Sequence, residues 1–291
     1  MPADDFADTT GELEVSIVGL AGVRADDLAV AITIARRGDA LDDVETVITG
    51  GQPLGTTRLA RYHEWIVDLA SDAAGTRYAL GPSGVLYVGD RRYPLPAPRG
   101  LTSLWVASPD ELLACGPGSL AQVRLDPGRI RVDVLDDDGP GEAVRVAGWG
   151  SASTGAIAVG TAGALWRKDD DGWTAHETPA RETLTDLAWV AAARAFVVGT
   201  DGGVYTWDGG ALALHSRHDR AWRACAWYQG ALYLAAATGG VVRLDGSNVE
   251  PVSPLPLRRL RVVGGELLAW GGALLARFDG ATWSGGPLEL P

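Results

Sequence analysis

Three arginines occupy comparable places in different parts of the chain and could together bind an anion. Arg145, Arg223 and Arg261 each lie a few residues into a short apolar segment that is expected to form an inner strand. If these strands converge on one axis, the three guanidinium groups could meet and bind a carboxylate, because each presents paired donors to two oxygens. The alternative is that they pair with carboxylates of the protein, such as Asp186, or lie along apolar neighbours.

Sequence signatures of catalysis and of cofactor binding are missing. The single lysine, Lys168, follows Arg167, so the Gly-Lys pair of a phosphate-binding loop does not occur, and no serine stands in a Gly-x-Ser-x-Gly elbow. His215 and His218 have a spacing that two metal ligands can use, but no adjacent cysteine or carboxylate pair completes the set. We therefore predict a protein without catalytic residues, metal or organic cofactor.

The charge of the chain is unevenly distributed. The net charge is −12, and residues 1–45 contain eleven Asp or Glu against three Arg. A negative surface repels nucleic-acid phosphates and attracts basic proteins, although solubility alone would also explain it. The sequence therefore suggests a protein partner, basic in character, and no nucleic acid. We assign the acidic part of a partner surface to Asp26, Asp27, Asp42 and Asp43.

Two aromatic residues and an arginine complete this partner surface. Trp222, Arg223 and Tyr228 flank the predicted inner strand of one repeat, near the ends where loops collect. We expect the two aromatic side chains to be exposed, because exposed aromatic and arginine residues supply the anchors of an interface. Arg145 and Arg261 are assigned to the same surface.

The elements that must position these residues recur along the chain. Tryptophans 105, 149, 189 and 227 are separated by 44, 40 and 38 residues, and the Asp-Gly pairs that begin at 171, 208, 245 and 279 by 37, 37 and 34. Each repeat holds four short runs of alternating apolar residues, which are typical of strands. The pattern predicts an all-β fold, a seven-bladed β-propeller of four-stranded antiparallel blades. The four periodic tryptophans are assigned to its core.

The repeats indicate one propeller domain preceded by a short acidic segment. Residues 1–11 are expected to be flexible, and the domain is expected to occupy 12–291. The predicted blades are approximately 12–64, 65–100, 101–143, 144–181, 182–220, 221–258 and 259–291. The segment Leu13–Gly19 could open the first blade or pair with the final sheet.

Other features of the sequence concern location and redox state. No apolar run approaches the roughly 18 residues that span a bilayer, and the acidic start lacks the basic and apolar parts of a secretory signal. We therefore expect a cytoplasmic monomer that does not enter membranes. Cys115 and Cys225 lie in apolar strand patterns of different repeats, where buried, reduced thiols are expected.

Two turn sequences resemble those of a known class of propellers. The segments 171–174 (DGWT) and 279–283 (DGATW) resemble the Asp-box, or BNR, turn, whose pattern is Ser-x-Asp-x-Gly-x-Thr-Trp. The phrases VYTWDGG, VVRLDG and LARFDG are similar to those of bacterial BNR-like, WD-repeat-like and photosystem-assembly-factor-like propellers. The resemblance implies the propeller fold and an aspartate in each turn that accepts backbone hydrogen bonds. Sialidases of this class bind a carboxylate through three arginines, but their Arg-Ile-Pro signature is absent here.

These observations leave two hypotheses about function. The first is a non-catalytic binding module for another protein, in its most specific form an immunity or antitoxin-type protein that neutralises a basic partner. The alternative is a propeller that binds or cleaves glycans through the arginine cluster. A rigid ring with variable loops suits either function, since a fold does not fix an activity.

Overall fold

The chain forms a closed ring of seven four-stranded antiparallel sheets, which confirms the predicted seven-bladed β-propeller. The structure is a computed structural model that describes residues 13–36, 44–50, 57–96, 100–126, 129–134, 143–150 and 155–288. The predicted acidic segment 1–11 lies outside these residues. Within each blade, strands that are consecutive in the chain are neighbours in the sheet.

The first four blades contain strands β1 to β16. Blade 1 consists of β1 (Leu13–Ala21), β2 (Ala29–Arg36), β3 (Glu45–Gly50) and β4 (Thr57–Tyr62). Blade 2 consists of β5 (Asp68–Ser71), β6 (Arg77–Gly81), β7 (Val85–Val88) and β8 (Arg91–Pro94). Blade 3 consists of β9 (Ser103–Ser108), β10 (Glu111–Gly116), β11 (Ser119–Asp126) and β12 (Arg129–Val134). Blade 4 consists of β13 (Ala143–Ala147), β14 (Ile157–Gly160), β15 (Leu165–Lys168) and β16 (Trp173–His176).

The last three blades contain strands β17 to β28. Blade 5 consists of β17 (Leu184–Ala191), β18 (Arg194–Gly199), β19 (Gly203–Trp207) and β20 (Leu212–Arg217). Blade 6 consists of β21 (Trp222–Tyr228), β22 (Ala231–Ala236), β23 (Val241–Asp245) and β24 (Asn248–Ser253). Blade 7 consists of β25 (Arg259–Val263), β26 (Glu266–Gly271), β27 (Leu274–Phe278) and β28 (Trp283–Pro287). Short 3-10 helices are formed by Ala25–Asp27 and Thr161–Gly163.

Apolar side chains fill the space between each pair of neighbouring blades. One cluster of buried residues lies at every one of the seven interfaces, including that between blades 7 and 1. A single blade exposes two apolar faces, so its strands are stable only when another blade covers each face. The repeated pattern of apolar residues thus produces a ring rather than a stack with open ends.

The ring closes by packing between complete blades. β1 pairs with β2, so the segment Leu13–Gly19 opens blade 1 and does not complete blade 7. Ile17 and Leu20 pack in one cluster with Leu268 and Trp270 of blade 7. The backbone N–H of Ile17 also donates to the carbonyl oxygen of Gly272 at 2.8 Å. Closure therefore depends, among the described residues, on the apolar interface together with polar contacts between blades 7 and 1 such as this hydrogen bond.

The periodic tryptophans pack less uniformly than the sequence predicts. Trp105, Trp189 and Trp227 are partly buried between blades, and a side chain at Gly148 would collide with the ring of Trp105. Trp149 is 46% exposed, so its assignment to the core is wrong. The reason is that β13 ends at Ala147, two residues earlier, which leaves Trp149 in the following turn. The largest fully buried side chains are instead those of Trp166, Trp207 and Trp222.

Aspartate side chains hold the turns between the two outer strands. Asp208 Oδ1 accepts hydrogen bonds from the N–H groups of Gly210 and Ala211 at 3.0 and 2.8 Å. Asp279 Oδ1 accepts from Ala281 and Thr282 at 2.8 and 2.9 Å. These backbone donors lower the pKa of both carboxyl groups.

The same turn in blade 4 uses a different aspartate from the one that the sequence suggests. Asp169 Oδ1, and not the carboxylate of Asp171, accepts from the N–H groups of Asp171 and Gly172 at 3.1 and 2.9 Å. The turn is closed by a hydrogen bond from Asp169 N–H to the carbonyl oxygen of Gly172, so its acceptor aspartate stands three residues before the glycine. The sequence run DDD at 169–171 offers three aspartates that could accept these hydrogen bonds, and only the position at which the strand ends distinguishes them.

Cys115 and Cys225 are free and buried, as predicted. Burial raises the pKa of the Cys115 thiol to about 12 and that of Cys225 well above its ordinary value, so both are unreactive thiols. No helix among the described residues has the length and apolar character needed to cross a membrane.

Candidate binding site in the central channel

One residue from each blade projects at the same height into the central channel. In blades 2 to 7 this residue pairs with the penultimate residue of the second strand, so the register itself sets the height. The pairs are Asp68 with Leu80, Ser103 with Cys115, Arg145 with Val159, Asp186 with Val198, Ala224 with Ala235 and Arg259 with Trp270. In blade 1, Val18 lines the same channel cavity as Asp68, Arg145 and Arg259. We call these seven residues the channel ring.

Ion pairs cross the channel at this height. Arg145 Nε contacts Asp186 Oδ1 at 3.0 Å, and Arg145 Nη1 contacts Asp68 Oδ2 at 3.2 Å. Arg261, two residues beyond Arg259, contacts Asp68 Oδ1 through Nη2 at 3.2 Å. Arg145 and Arg261 are therefore brought together, as the sequence suggests, but each is paired with a carboxylate of the protein. The predicted alternative of pairing with Asp186 is correct for Arg145.

Backbone groups extend this network to the remaining blades. Asp68 Oδ2 accepts from the N–H of Leu104 in blade 3, and Asp186 Oδ2 accepts from the N–H of Cys225 in blade 6, at 2.9 and 3.0 Å. Arg261 Nη1 donates to the carbonyl oxygen of Leu20 in blade 1. All seven blades thus contribute to one hydrogen-bonded network, so its charged groups hold the ring together.

The three arginines of the channel differ in how their surroundings affect the pKa of the guanidinium group. Burial alone would lower the pKa of Arg145, but Asp186 and Asp68 together raise the pKa above its ordinary value. Burial lowers the pKa of Arg261 in spite of the nearby Asp68. The pKa of Arg259 is also lowered, first by burial and then by the charge of Arg145. All three remain cations at neutral pH, because the ordinary pKa of arginine lies above about 12.

A second pair of carboxylates lies just outside the channel, and sequence reasoning missed it. Glu182 Oε1 accepts a hydrogen bond from Tyr205 Oη at 2.7 Å, and Glu64 Oε1 accepts the equivalent one from Tyr87. Both glutamates begin the same phrase, Glu-x-x-x-Asp-Leu-Ala, at 64–70 and 182–188, and both tyrosines follow 23 residues later. Comparison of blades 2 and 5 at the level of the sequence would have found this signal.

We expect Tyr205 to make stability fall at high pH. Burial, with the hydrogen bond to Glu182, raises the pKa of Tyr205 to about 12 from an ordinary value of 10.0. The unfolded chain therefore loses this proton first, and stability is lost as pH rises through the interval between the two values. Denaturant unfolding should show wild type losing about 2 kcal/mol relative to Tyr205→Phe between pH 9 and 11.5. Equal losses in both proteins would contradict this role.

The predicted partner surface is not assembled as expected. Trp222 is fully buried and Tyr228 is 4% exposed, so the expectation that they are exposed is wrong. Trp222 donates from Nε1 to the carbonyl oxygen of Gly202 at 3.2 Å, and Tyr228 packs between blades against Phe278. Trp222 packs against blade 5 and Tyr228 against blade 7, so the two side chains are buried by opposite neighbours of blade 6.

Arg223 and the acidic residues have different environments. Arg223 is exposed, and it is the extra residue at the register shift between Trp222 and Ala224. Asp26 is exposed and pairs with Arg24 at 3.3 Å. Asp27 is turned inward, where its Oδ1 accepts from the N–H groups of Val23 and Arg24. Asp42 and Asp43 lie outside the described residues.

Among the described residues, no group of three or more His, Cys, Asp or Glu side chains could hold a metal ion. His215 Nε2 donates to the carbonyl oxygen of Gly246 at 2.9 Å, and His218 Nε2 lies 2.9 Å from Ser216 Oγ. The two rings therefore have separate structural partners. The expected absence of a metal or cofactor stays a prediction.

Known propellers share this architecture. The WD40 β-propeller domain of Doa1 covers 92% of this chain and 92% of its own, with a TM-score of 0.70 and 11% identity. The β-propeller domain of Myceliophteria thermophila Cps50 (Swd1) covers 94% and 98%, with a TM-score of 0.68 and 14% identity. YCF48 bound to a D1 peptide covers 74% and 79%, with a TM-score of 0.57 and 19% identity. No family model and no curated protein matches the sequence. At these identities the likeness establishes the fold.

Proposed function

We propose that this protein is a non-catalytic propeller that binds another protein. The proposal rests on one observation: the carboxylates in the channel already form hydrogen bonds and ion pairs with other groups of the protein. Asp68 and Asp186 each accept a backbone N–H and an arginine, which leaves neither free to act as a base or nucleophile. A catalytic carboxylate needs access to substrate and a pKa matched to its task.

Propellers of similar fold support a binding role by analogy. The YCF48 structure contains a bound D1 peptide, so that propeller accepts a segment of another protein. The analogy is one of fold and does not identify a partner. In this chain a closed ring tied together across its channel offers rigid faces, which lowers the entropic cost of forming an interface.

In its most specific form the proposal is an immunity or antitoxin-type protein that covers the active surface of a basic partner. Support comes from the net charge of −12 and from the eleven acidic residues within 1–45. The exposed carboxylate of Asp26 belongs to this acidic part of the chain. Charge of one sign accelerates the approach of an oppositely charged protein and makes binding sensitive to salt.

A glycan-binding role is a second candidate, favoured by one groove. A cavity of about 370 Å³ between blades 5 and 6 is lined by Phe196, His215, Trp227, Arg243 and Asp245, among others. Aromatic rings beside charged side chains suit the apolar faces and hydroxyl groups of sugars. The rings of Phe196 and Trp227 also stack on each other, with centroids 5.7 Å apart, which is an adequate structural reason for their presence.

The test is capture of partners from lysate of the source cells at low and high salt, followed by reconstitution with the purified candidate. The acidic variant carries Asp26→Asn, Asp42→Asn and Asp43→Asn. Asp27 is left intact because it holds a turn. The control carries the same change of charge at exposed aspartates elsewhere in the ring, as Asp90→Asn, Asp133→Asn and Asp219→Asn.

We expect capture of a basic protein whose affinity falls at high salt and in the acidic variant, but changes less in the control. If binding weakened equally in the acidic variant and in the control, the overall charge would be responsible rather than blade 1. Capture that is insensitive to salt would contradict a basic partner. Retention of a glycan alone, lost on Trp227→Ala, would favour the second candidate.

A further inference from the structure

Two arginines lie at the mouth of the channel, which is the face where the inner strands begin, and lack a carboxylate partner among the described residues. No Asp or Glu among the described residues lies within 4 Å of the guanidinium group of Arg259 or of Arg223, whereas Arg145 and Arg261 are both paired. Both unpaired side chains are exposed. This is unexpected in a chain with a net charge of −12, because acidic residues are plentiful and could have neutralised them.

The two arginines belong to adjacent blades and influence each other. Arg259 is the channel-ring residue of blade 7, and Arg223 directly precedes Ala224, the channel-ring residue of blade 6. The charge of Arg223 contributes to lowering the pKa of Arg259, together with burial and Arg145. Ala224 has no side chain long enough to separate them. The carboxylates of Asp186 and Asp68 oppose this effect on the pKa, but among the described residues no carboxylate forms an ion pair with either arginine.

The space beside Arg259 limits what could neutralise this charge. The cavity that Arg259 lines with Asp68, Thr102 and Arg145 has a volume of about 30 Å³. A cavity of that size holds one or two waters, and so admits a small planar group but not a whole sugar ring. Thr102 and Arg259 are exposed to solvent, so the cavity is open at the face where the inner strands begin.

We propose that this mouth is a binding site for a carboxylate, which Arg259 and Arg223 contact while the rest of the ligand stays outside the channel. A guanidinium group binds both oxygens of a carboxylate in one plane, which fits the narrow space. Asp68 and Asp186 prevent a larger anion from moving deeper, because they face the same cavity with negative charge. The site does not depend on the acidic surface invoked for a basic partner, so each can fail without the other.

The carboxylate could belong to a free small molecule or to a segment of a protein, and two sets of probes distinguish these sources. Isothermal titration calorimetry is performed at constant ionic strength with acetate and succinate, and with inorganic phosphate for comparison. The second set is a short peptide that ends in a free carboxylate and the same peptide amidated at its terminus.

Matched variants test the location. Arg259→Gln and Arg223→Gln remove one guanidinium each and break no ion pair among the described residues, and Arg194→Gln removes an exposed arginine of blade 5 at the start of β18. We expect each of the first two variants to weaken carboxylate binding by roughly tenfold or more, and Arg194→Gln to leave it unchanged. Thermal unfolding of all three should resemble that of wild type, which verifies folding.

Each outcome has a definite meaning. Binding of small carboxylates identifies a metabolite-like ligand, and binding of only the free-carboxylate peptide identifies a protein segment. No binding by either set, or equal binding in the Arg259→Gln and wild-type proteins, would overturn the site. Tighter binding of phosphate than of any carboxylate would overturn the assignment of the ligand.

Discussion

Replacing Asp68 with alanine is expected to lower the free energy of unfolding by about 3–5 kcal/mol, because it leaves Arg261 without its carboxylate partner and Arg145 with Asp186 alone. The side chain of Asp68 is 7% exposed and pairs with Arg145 and Arg261, whose side chains are 22% and 21% exposed. It also accepts the backbone N–H of Leu104. Urea unfolding of wild type and Asp68→Ala measures the difference.

A control and a second substitution separate the causes of this loss. Asp26→Ala removes an exposed carboxylate that pairs with Arg24, and it should cost less than about 1 kcal/mol. Combining Asp68→Ala with Arg261→Met should recover part of the loss, because Asp68 is the only carboxylate paired with Arg261 among the described residues and the double variant no longer holds that guanidinium unpaired. A cost for Asp68→Ala as small as that of the control would show that the network does not hold the blades together.

Trp222→Ala should destabilise the protein by about 3–5 kcal/mol, and Trp149→Ala by no more than about 0.5 kcal/mol. Trp222 is fully buried and donates to the carbonyl oxygen of Gly202, so its removal leaves a cavity and breaks this hydrogen bond. Trp149 is 46% exposed. The pair compares the same substitution at two places in the same ring, blades 4 and 6, with unfolding in urea as the measurement.

The same pair also bears on binding. If Trp222 acted as an exposed anchor, Trp222→Phe would weaken partner capture while leaving stability nearly unchanged. We expect the opposite, a loss of stability with capture preserved at temperatures where the variant is folded. Destabilisation by Trp149→Ala comparable to that of Trp222→Ala would contradict the burial described here.

The fold could be predicted from the sequence because the pattern of residues that produces it repeats along the chain. Alternating apolar residues and recurrent turns identify strands locally, and a repeat of about 40 residues makes each blade require neighbours of its own kind. Asp208 and Asp279 could be assigned to turns for the same reason, since an aspartate and its backbone donors lie within three residues. Such contacts depend on nearby positions in the chain, which a sequence displays directly.

Burial and charge pairing depend on the tertiary structure. Asp68 meets Arg145 and Arg261 across 77 and 193 residues, and only closure of the ring brings these side chains to one axis. Trp149 is exposed because β13 ends two residues before it, and packing against blades 5 and 7 buries Trp222 and Tyr228. The sequence by itself determined that seven blades form and that their inner strands carry arginines. The three-dimensional closure decided which arginines pair with a carboxylate and left Arg223 and Arg259 without such a pair among the described residues, because pairing requires distances that no local pattern encodes.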